Sequence, residues 1–188
     1  MPERLINQRR HYMFQCAVGW VVLLGSEKGL TRLSLKPTPE EAMEEAMKEA
    51  MKDSGQALDE ATLAASWFQP MQRCVENYLE GDQRALDEIV LDLDGTPPFF
   101  RAAWAACRGI PSGETRSYAW LAAEAGSPLA VRAAGQAMAR NRWPLIIPCH
   151  RVIGSDGGLG GYGAGGLRVK AKLLQLEQSF VTAGDLRG

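Results

Sequence analysis

Residues 117–141 read SYAWLAAEAGSPLAVRAAGQAMARN, and this stretch has the layout of a helix-turn-helix. Gly126 ends a first predicted helix at about Ala125, because glycine adopts the backbone of a helix C-terminus without steric cost. Ser127 is the predicted N-cap of the second helix, and Pro128 fits its first turn. The sequence therefore predicts two short helices joined by a tight turn.

The second predicted helix carries small side chains over much of its surface. They are Ala130, Ala133, Ala134, Gly135 and Ala137. Such a face lets another surface come very close, and that surface is either a neighbouring helix or a nucleic-acid groove. In the second case Arg132, Arg140 and Arg142 would face phosphates. This segment alone leaves both interpretations open.

The chain before residue 95 has a different pattern. Residues 11–37 predict two or three short antiparallel strands with a turn at Glu27-Lys28-Gly29. The next predicted helix, capped by Thr38 and ended by Gly55, has a methionine stripe that we expect to face the core, formed by Met43, Met47 and Met51. Further helices broken near Pro70 and a last strand over residues 85–95 follow.

These patterns predict an α+β fold with a division at Gly95-Thr96-Pro97-Pro98. Residues 1–94 form a small domain of antiparallel sheet plus helices. Residues 95–178 form a mostly helical domain that contains the helix-turn-helix, and residues 179–188 form a tail. In the second domain, Phe100, Trp104 and Cys107 share one helix face.

Charge is distributed unevenly between the two predicted domains. The whole chain has 21 Lys plus Arg and 22 Asp plus Glu, yet from Thr96 onward there are 11 basic and 5 acidic residues. A basic domain is a candidate for a polyanionic partner, although charges can also fall unevenly on solvated faces. No apolar run is long enough for a membrane helix, and the N-terminus lacks a signal-peptide pattern, so we expect an intracellular protein.

The stretch IIPCHRVI (146–153) places Cys149 beside His150. The four cysteines are far apart without a C-x-x-C pair, which argues against a disulfide framework and a zinc site. A thiol nucleophile needs a base, a positive charge or helix-terminal N–H groups. Adjacent residues on a strand point to opposite faces, so His150 reaches Cys149, directly or through water, only if the backbone turns there. Pro148 favours such a turn, although most buried cysteines are inert.

Seven glycines lie among the twelve residues from Gly154 to Gly165. A flexible linker is one interpretation. The alternative is a loop whose backbone approaches a flat ligand closely. Tyr162 lies within this loop and an amphipathic helix containing Glu177 follows it, which suits a base stacked on the tyrosine.

Together these motifs resemble one family, the O6-alkylguanine-DNA alkyltransferases, also called methylated-DNA–protein-cysteine methyltransferases. The resemblance rests on IPCHRVI, on GETRSY ending at Tyr118, on VRAAGQAMARN (131–141) and on GGYGAGGLRVKAKLLQLE ending at Glu177. These motifs span Thr96 to Glu177 in the family's order, while the N-terminal half matches only in layout. The family transfers an alkyl group from guanine O6 irreversibly to its own cysteine.

The resemblance implies a role for each catalytic residue. Cys149 would be the nucleophile and acceptor, His150 would deprotonate it through a water, and Glu177 would orient His150. Asn141 would brace the turn that joins the helix-turn-helix to the active-site loop. Tyr118 would donate a proton to guanine N3 as the base leaves.

The resemblance also implies contacts with double-stranded DNA in the minor groove, where Arg132 would replace the extruded base. The expected DNA-contacting residues are Arg132, Tyr118, Ala133, Gly135, Arg140 and Arg151. In the expected substrate pocket, the carbonyls of Cys149 and Val152 would accept hydrogen bonds from the guanine amino group. Tyr162 would form one wall, and a backbone N–H of Gly163 or Ala164 would donate to O6. The donor is left open because two residues separate Tyr162 from Gly165-Gly166, where the family usually has one.

The resemblance implies no cofactor, and we expect no metal because the zinc-binding residues of some relatives have no clear match in the N-terminal half. We expect a monomer, leave open whether molecules cluster on DNA, and expect a cytoplasmic location, or a nuclear one in a eukaryote. Two alternatives remain. A lesion sensor would bind alkylguanine without transfer, but such relatives have another residue at the position of Cys149. A thiol hydrolase would leave the helix-turn-helix unexplained.

Overall fold

The computed structural model describes residues 10–50 and 61–185. The chain divides into two compact units, Met1–Asp92 and Leu93–Gly188. The first unit contains the strands β1 (Arg10–Cys16), β2 (Gly19–Ser26) and β3 (Gly29–Lys36). They form one antiparallel sheet in the order β1-β2-β3, which confirms the predicted sheet and α+β class.

Two helices pack on this sheet, α1 (Pro39–Ala50) and α2 (Ala61–Glu80). Val22 and Leu24 of β2 pack against α1 in one buried cluster. Because side chains alternate along a strand, Leu23 points to the opposite face. Its partner on β1 is Tyr12, whose ring stacks on Phe68 of α2 with ring centroids 5.9 Å apart. The sheet is therefore covered on both faces, one by each helix.

The methionine stripe of α1 does not face the core, so that prediction was wrong. The side chains of Met43 and Met47 are 50% and 51% exposed, and Met51 lies outside the described residues, as does the predicted helix end at Gly55. The helix instead buries Ala42 and Ala46 against the sheet. Alanine is suited to these two positions because its small side chain lets the helix approach the sheet closely.

Two further predictions in this unit were also wrong. α2 continues through Pro70 without a break. Residues 85–95 form turns rather than a strand, and their one bridge to the sheet joins Leu91 to Leu30. Here Asp92 N donates to the Leu30 carbonyl and Leu30 N donates to the Val90 carbonyl, each at 2.9 Å.

The second unit is mostly helical. Its elements are α3 (Pro98–Arg108), β4 (Arg116–Ser117), α4 (Tyr118–Glu124), α5 (Val131–Ala139), β5 (Val152–Ile153) and α6 (Gly166–Asp185). The strands β4 and β5 pair in parallel, and α3, α4 and α5 pack together. α6 continues to Asp185, through most of the segment predicted as a tail. Within the described residues, no helix is long and apolar enough to span a membrane.

The helix-turn-helix is formed by α4 and α5. Ser117 caps α4 by accepting a hydrogen bond from Trp120 N at 3.1 Å, and Gly126 ends it with a φ of +80°, as predicted. The second helix starts later than predicted, because Ser127 forms a turn with Ala130 and Ala130 is the N-cap. α5 is held to α3 by Trp104, whose Nε1 donates to the Ala137 carbonyl at 2.9 Å.

Candidate active site

Cys149 opens a single 3-10 turn, Cys149–Arg151, which leads directly into β5. The turn is closed by a hydrogen bond from Arg151 N to the Pro148 carbonyl at 2.9 Å. The backbone therefore turns at the cysteine, as the proline indicated. The cysteine side chain is buried, with 8% of it exposed.

Asn141 connects the end of the helix-turn-helix to this turn. Its Nδ2 donates to the Ile147 carbonyl at 2.8 Å and to Cys149 Sγ at 3.1 Å. Its Oδ1 accepts from Trp143 N at 2.9 Å. Between them Leu145 has a φ of +75°, a left-handed backbone that costs about 1–2 kcal/mol outside glycine. The three bonds of Asn141 stabilise this unusual turn and place a donor on the sulfur.

Burial raises the pKa of Cys149, while the hydrogen bond from Asn141 and the charge of Lys170 lower it. Burial has the larger effect, so the pKa of Cys149 stays above its ordinary value and the free protein carries a thiol at neutral pH. The sulfur thus needs a proton acceptor before it can attack. A buried thiol in the resting state also limits side reactions with other electrophiles.

His150 and Glu177 form a fully buried pair, with His150 Nε2 and Glu177 Oε1 2.8 Å apart. Burial by itself raises the pKa of Glu177, but the hydrogen bonds and charges of His150 and Arg151 hold it well below its usual range. The carboxylate is therefore ionised and only accepts, which assigns the proton to Nε2. His150 Nδ1 is then a lone-pair acceptor, and it is buried without a hydrogen-bond partner among the described residues.

Burial also lowers the pKa of His150, although Glu177 opposes the shift. The imidazole is therefore neutral at pH 7. A neutral, oriented imidazole with one unused nitrogen has the properties of a general base.

Arg151 does not occupy the expected DNA-contacting position. Its side chain is buried, its Nε and Nη2 donate to Glu177 at 2.8–3.1 Å, and its Nη1 donates to the Ile110 carbonyl at 2.5 Å. The prediction fails because a buried carboxylate requires a charged partner and Arg151 supplies it. Gly113 N adds a further donor to Glu177 Oε2 at 3.2 Å.

Val152 and the glycine-rich segment meet at Lys170, a residue that the sequence analysis missed. Lys170 is fully buried on α6, and its Nζ donates to the Val152 carbonyl at 2.7 Å and to the Leu159 carbonyl at 2.5 Å. Its spacing was the available signal, since it precedes Glu177 by seven residues, about two helical turns.

Two tyrosines lie near the cysteine turn. Burial raises the pKa of Tyr118, and the negative charge that Cys149 and Cys107 carry when ionised adds to this effect, so the Tyr118 hydroxyl stays protonated. The ring of Tyr162 is perpendicular to that of His150, with centroids 6.4 Å apart. The extra residue after Tyr162 lies in a turn over Gly163–Gly165, before α6 begins.

The remaining predicted contact residues lie on or beside α5. Arg132 and Arg140 are exposed, while Ala133 and Gly135 are partly buried. A Cβ added at Gly135 would meet no atom within 4 Å, so this position faces open space rather than a packed helix. Leu129, in the turn before α5, is 99% exposed. By contrast, Arg142 lies over the Trp143 ring at 4.6 Å and donates to Thr96 Oγ1 at 3.3 Å.

Among the described residues, no group of three or more His, Cys, Asp or Glu side chains could hold a metal ion. A buried thiol, a neutral imidazole oriented by a carboxylate and a protonated phenol form a set suited to nucleophilic transfer with proton movement.

Comparison with known proteins identifies the family. A family model described as 6-O-methylguanine DNA methyltransferase, DNA binding domain, matches residues 98–179. The methylated-DNA–protein-cysteine methyltransferase of Methanosarcina acetivorans is 37% identical over 167 residues, which cover 89% of this chain and 97% of that protein. The constitutive enzyme of that name in Bacillus subtilis is 45% identical over 104 residues, or 55% of this chain and 62% of its own length.

Solved structures agree with the sequence relatives. The Mycobacterium tuberculosis protein OGT, crystallised in complex with DNA, superposes with a TM-score of 0.70 at 32% identity over 90% of this chain and 93% of that one. An O6-methylguanine methyltransferase structure from the same organism gives the same TM-score over 92% of this chain. The chain belongs to the methylated-DNA–protein-cysteine methyltransferase family, whose members act in DNA repair by alkyl transfer.

Proposed function

We propose that this protein repairs O6-alkylguanine in double-stranded DNA by transferring the alkyl group to Cys149, once per molecule. The observation that carries the proposal is the set of contacts around the sulfur. Asn141 donates to Sγ, and the adjacent His150 is neutral, buried and oriented by Glu177.

The proposed reaction is a displacement at the alkyl carbon. His150 Nδ1 accepts the Cys149 proton through a water, and the thiolate attacks the carbon attached to guanine O6. The S–C bond forms as the C–O bond breaks, and the electron pair stays on the base. The Tyr118 hydroxyl gives a proton to guanine N3, which leaves neutral guanine and a thioether. Because nothing regenerates the thiol, each molecule reacts once.

The base has to leave the stack before the sulfur can reach it. Extruding a nucleotide costs a few kcal/mol, and less for a damaged pair. We propose that α5 enters the minor groove with its small face, formed by Ala133 and Gly135. Arg132 fills the position of the extruded base, and Arg140 contacts phosphate. The open space at Gly135 and the exposure of both arginines support this arrangement.

The guanine would lie between Tyr162 and the cysteine turn. The carbonyls of Cys149 and Val152 accept from its amino group, and a backbone N–H of Gly163 or Ala164 donates to O6. The exposed Leu129 lies in the turn before α5, where an apolar side chain is suited to contact with sugars in the groove.

The repair step depends on Cys149. A Cys149→Ser protein should bind a methylated duplex but leave the methyl on guanine, measured by chromatography of the nucleosides released from the DNA. Cys74→Ser is the matched control and should repair at the wild-type rate, because Cys74 lies in the other unit. If Cys149→Ser still restored guanine, the assignment of the nucleophile would be wrong.

The sensor and hydrolase alternatives give different results in the same assay. A sensor would leave the methyl on the DNA with wild-type protein as well, and a hydrolase would repair many lesions per molecule. The relatives named above come from bacteria and archaea, so we infer that the protein acts in the cytoplasm. We also propose that it acts as a monomer.

A further inference from the structure

Trp143 is the largest fully buried side chain among the described residues, and it lies in the segment between α5 and the cysteine turn. Its ring packs edge-on against that of Trp104, with centroids 5.3 Å apart and planes at 83°, an arrangement that aromatic pairs prefer. The guanidinium carbon of Arg142 lies 4.6 Å from the centre of the same ring, within the range of a cation–π contact. The Trp143 ring is therefore held by two neighbours.

Trp104 connects this tryptophan pair to α5. Its indole Nε1 donates to the Ala137 carbonyl at 2.9 Å, and this hydrogen bond is buried. Ala137 lies in the last turn of α5, the helix that we propose enters the DNA groove. Moving Trp104 away would leave its one buried donor unpaired. The last turn of α5 therefore fixes the surface against which Trp143 packs.

The backbone of Trp143 belongs to the turn that carries Asn141. Trp143 N donates to Asn141 Oδ1 at 2.9 Å, and the Trp143 carbonyl accepts from Ile147 N at 2.8 Å. Within this turn Leu145 has a φ of +75°. Residues 141–148 read NRWPLIIP, so no glycine makes the left-handed backbone easy. The turn consequently depends on anchors outside its own backbone preferences, and the buried ring of Trp143 supplies one of them.

The Asn141 amide links this turn to the nucleophile. At one end its Oδ1 accepts from Trp143 N, and at the other its Nδ2 donates to Cys149 Sγ at 3.1 Å. A hydrogen bond donated to a sulfur favours the thiolate, and this one lowers the pKa of Cys149. A displacement of Trp143 would therefore move the amide and change the ionisation of the sulfur.

We propose that Trp143 is a positioning residue for the alkyl transfer: held between Trp104 and Arg142, its side chain keeps the Asn141 amide on the sulfur of Cys149. This inference rests on the proposed function. It also gives α5 a physical connection to the nucleophile, through Trp104 and Trp143. A tryptophan that only filled the core would contribute to stability without influencing the acidity of the sulfur, so the two roles are separable by experiment.

The test measures the pH dependence of Cys149 alkylation by iodoacetamide, which needs no DNA and is followed by the mass of the peptide that contains Cys149. It compares Trp143→Leu with Trp143→Phe, which keeps an aromatic ring against Trp104. The control is Trp67→Leu, which removes a tryptophan of the other unit that packs edge-on against Phe68. Melting temperatures show how much stability each change removes and which variants remain folded.

We expect Trp143→Leu to move the alkylation profile to higher pH, because a loosened Asn141 amide donates less well to the thiolate. A weakened hydrogen bond to a charged group changes a pKa by up to about one unit. Alkylation at pH 7, and transfer from free O6-methylguanine, should therefore fall by about threefold to tenfold. Trp143→Phe should keep most of both activities. Trp67→Leu should lower the melting temperature and leave the profile unchanged.

A double variant shows whether Trp143 acts through Asn141. If it does, Trp143→Leu combined with Asn141→Ala should shift the profile no further than Asn141→Ala alone, because residues in one network are not additive. Two shifts that add, or a folded Trp143→Leu protein with the wild-type profile, would overturn the proposal.

If Trp143→Leu does not fold, Trp143→Met takes its place under the same criteria, because an unbranched side chain fills the gap without a ring. A wild-type protein that fails to transfer methyl would refute the proposed function instead, while the alkylation profiles would still decide the role of Trp143.

Discussion

At the scale of single residues, reactivity at Cys149 is set by opposing effects. Burial favours the thiol, whereas the hydrogen bond from Asn141 and the charge of Lys170 favour the thiolate. His150 becomes a buried cation when it receives the proton, and the ionised Glu177 bonded to it offsets that charge. The balance leaves the sulfur protonated in the free protein.

Asn141→Ala should slow transfer to free base by about tenfold or more, because a hydrogen bond to a charged group contributes about 1.5–3 kcal/mol. The pH profile of Cys149 alkylation should move to higher pH. Gln136→Ala, an exposed change on α5, is the control. An unmoved profile in folded Asn141→Ala protein would show that its contact with the sulfur does not influence ionisation.

Residue chemistry was predictable only in part. The motif around Cys149 and its resemblance to a family pointed to His150, Glu177 and Asn141, and the structure brings these side chains into contact with one another or with the cysteine turn. Arg151 was expected to contact DNA as part of what the family resemblance implied, but the structure buries it. Pairing with a carboxylate 26 residues away is a tertiary event that local sequence does not reveal.

At the scale of elements, α5 packs one face against its unit and leaves the other face open. Its buried face, with Ala134, Ala137 and Met138, packs on the rest of the unit. Its other face keeps a glycine in mid-helix, which costs about 1 kcal/mol relative to alanine. Since a Cβ at Gly135 would meet nothing within 4 Å, internal packing does not demand the glycine.

Gly135→Ala should therefore stabilise the free protein by up to about 1 kcal/mol and weaken repair of duplex DNA, with reaction of free base unchanged. Urea unfolding and the two transfer assays measure this. Arg132→Ala, compared in the same assays, should lose far more activity on duplex than on free base. Unchanged duplex repair by Gly135→Ala would mean that no groove approaches this helix closely.

Helix ends were predictable where residues in the terminal turn set them, whereas the buried face of a helix depended on tertiary packing. Gly126 was predicted correctly as the end of the first helix, because a cap acts within a few residues. Ser127 was not the N-cap of the second helix, which begins after Ala130. The methionine stripe of α1 was misread, because periodicity locates a face without saying which face is buried. Ala42 and Ala46 lie on the same helix as the methionines, and it is these alanines that pack against the sheet.

At the scale of the whole molecule, basic residues are concentrated in the second half of the chain. From Thr96 onward it has 11 basic and 5 acidic residues, which suits a polyanionic partner whose binding weakens with salt. Under the proposed single reaction per molecule, each copy has to keep its buried charges paired until it meets a lesion.

Glu177 should dominate the acid sensitivity of the second unit. A carboxyl whose pKa is depressed in the folded state stabilises the fold above its unfolded value of 4.5, and this contribution is lost as pH falls below it. Glu177→Gln should cost about 3–5 kcal/mol at neutral pH, because Arg151 is left buried without its charge partner. The gap in melting temperature between the two proteins should narrow below pH 4.5. A gap independent of pH would contradict a depressed pKa.

The most direct test of the account is the mass of the protein after reaction with a duplex carrying one isotopically labelled O6-methylguanine. We predict one labelled methyl group per molecule, located on the peptide that contains Cys149, and no reaction of that product with a second lesion. Label on any other residue, unmodified protein alongside repaired DNA, or many lesions repaired per molecule would contradict it.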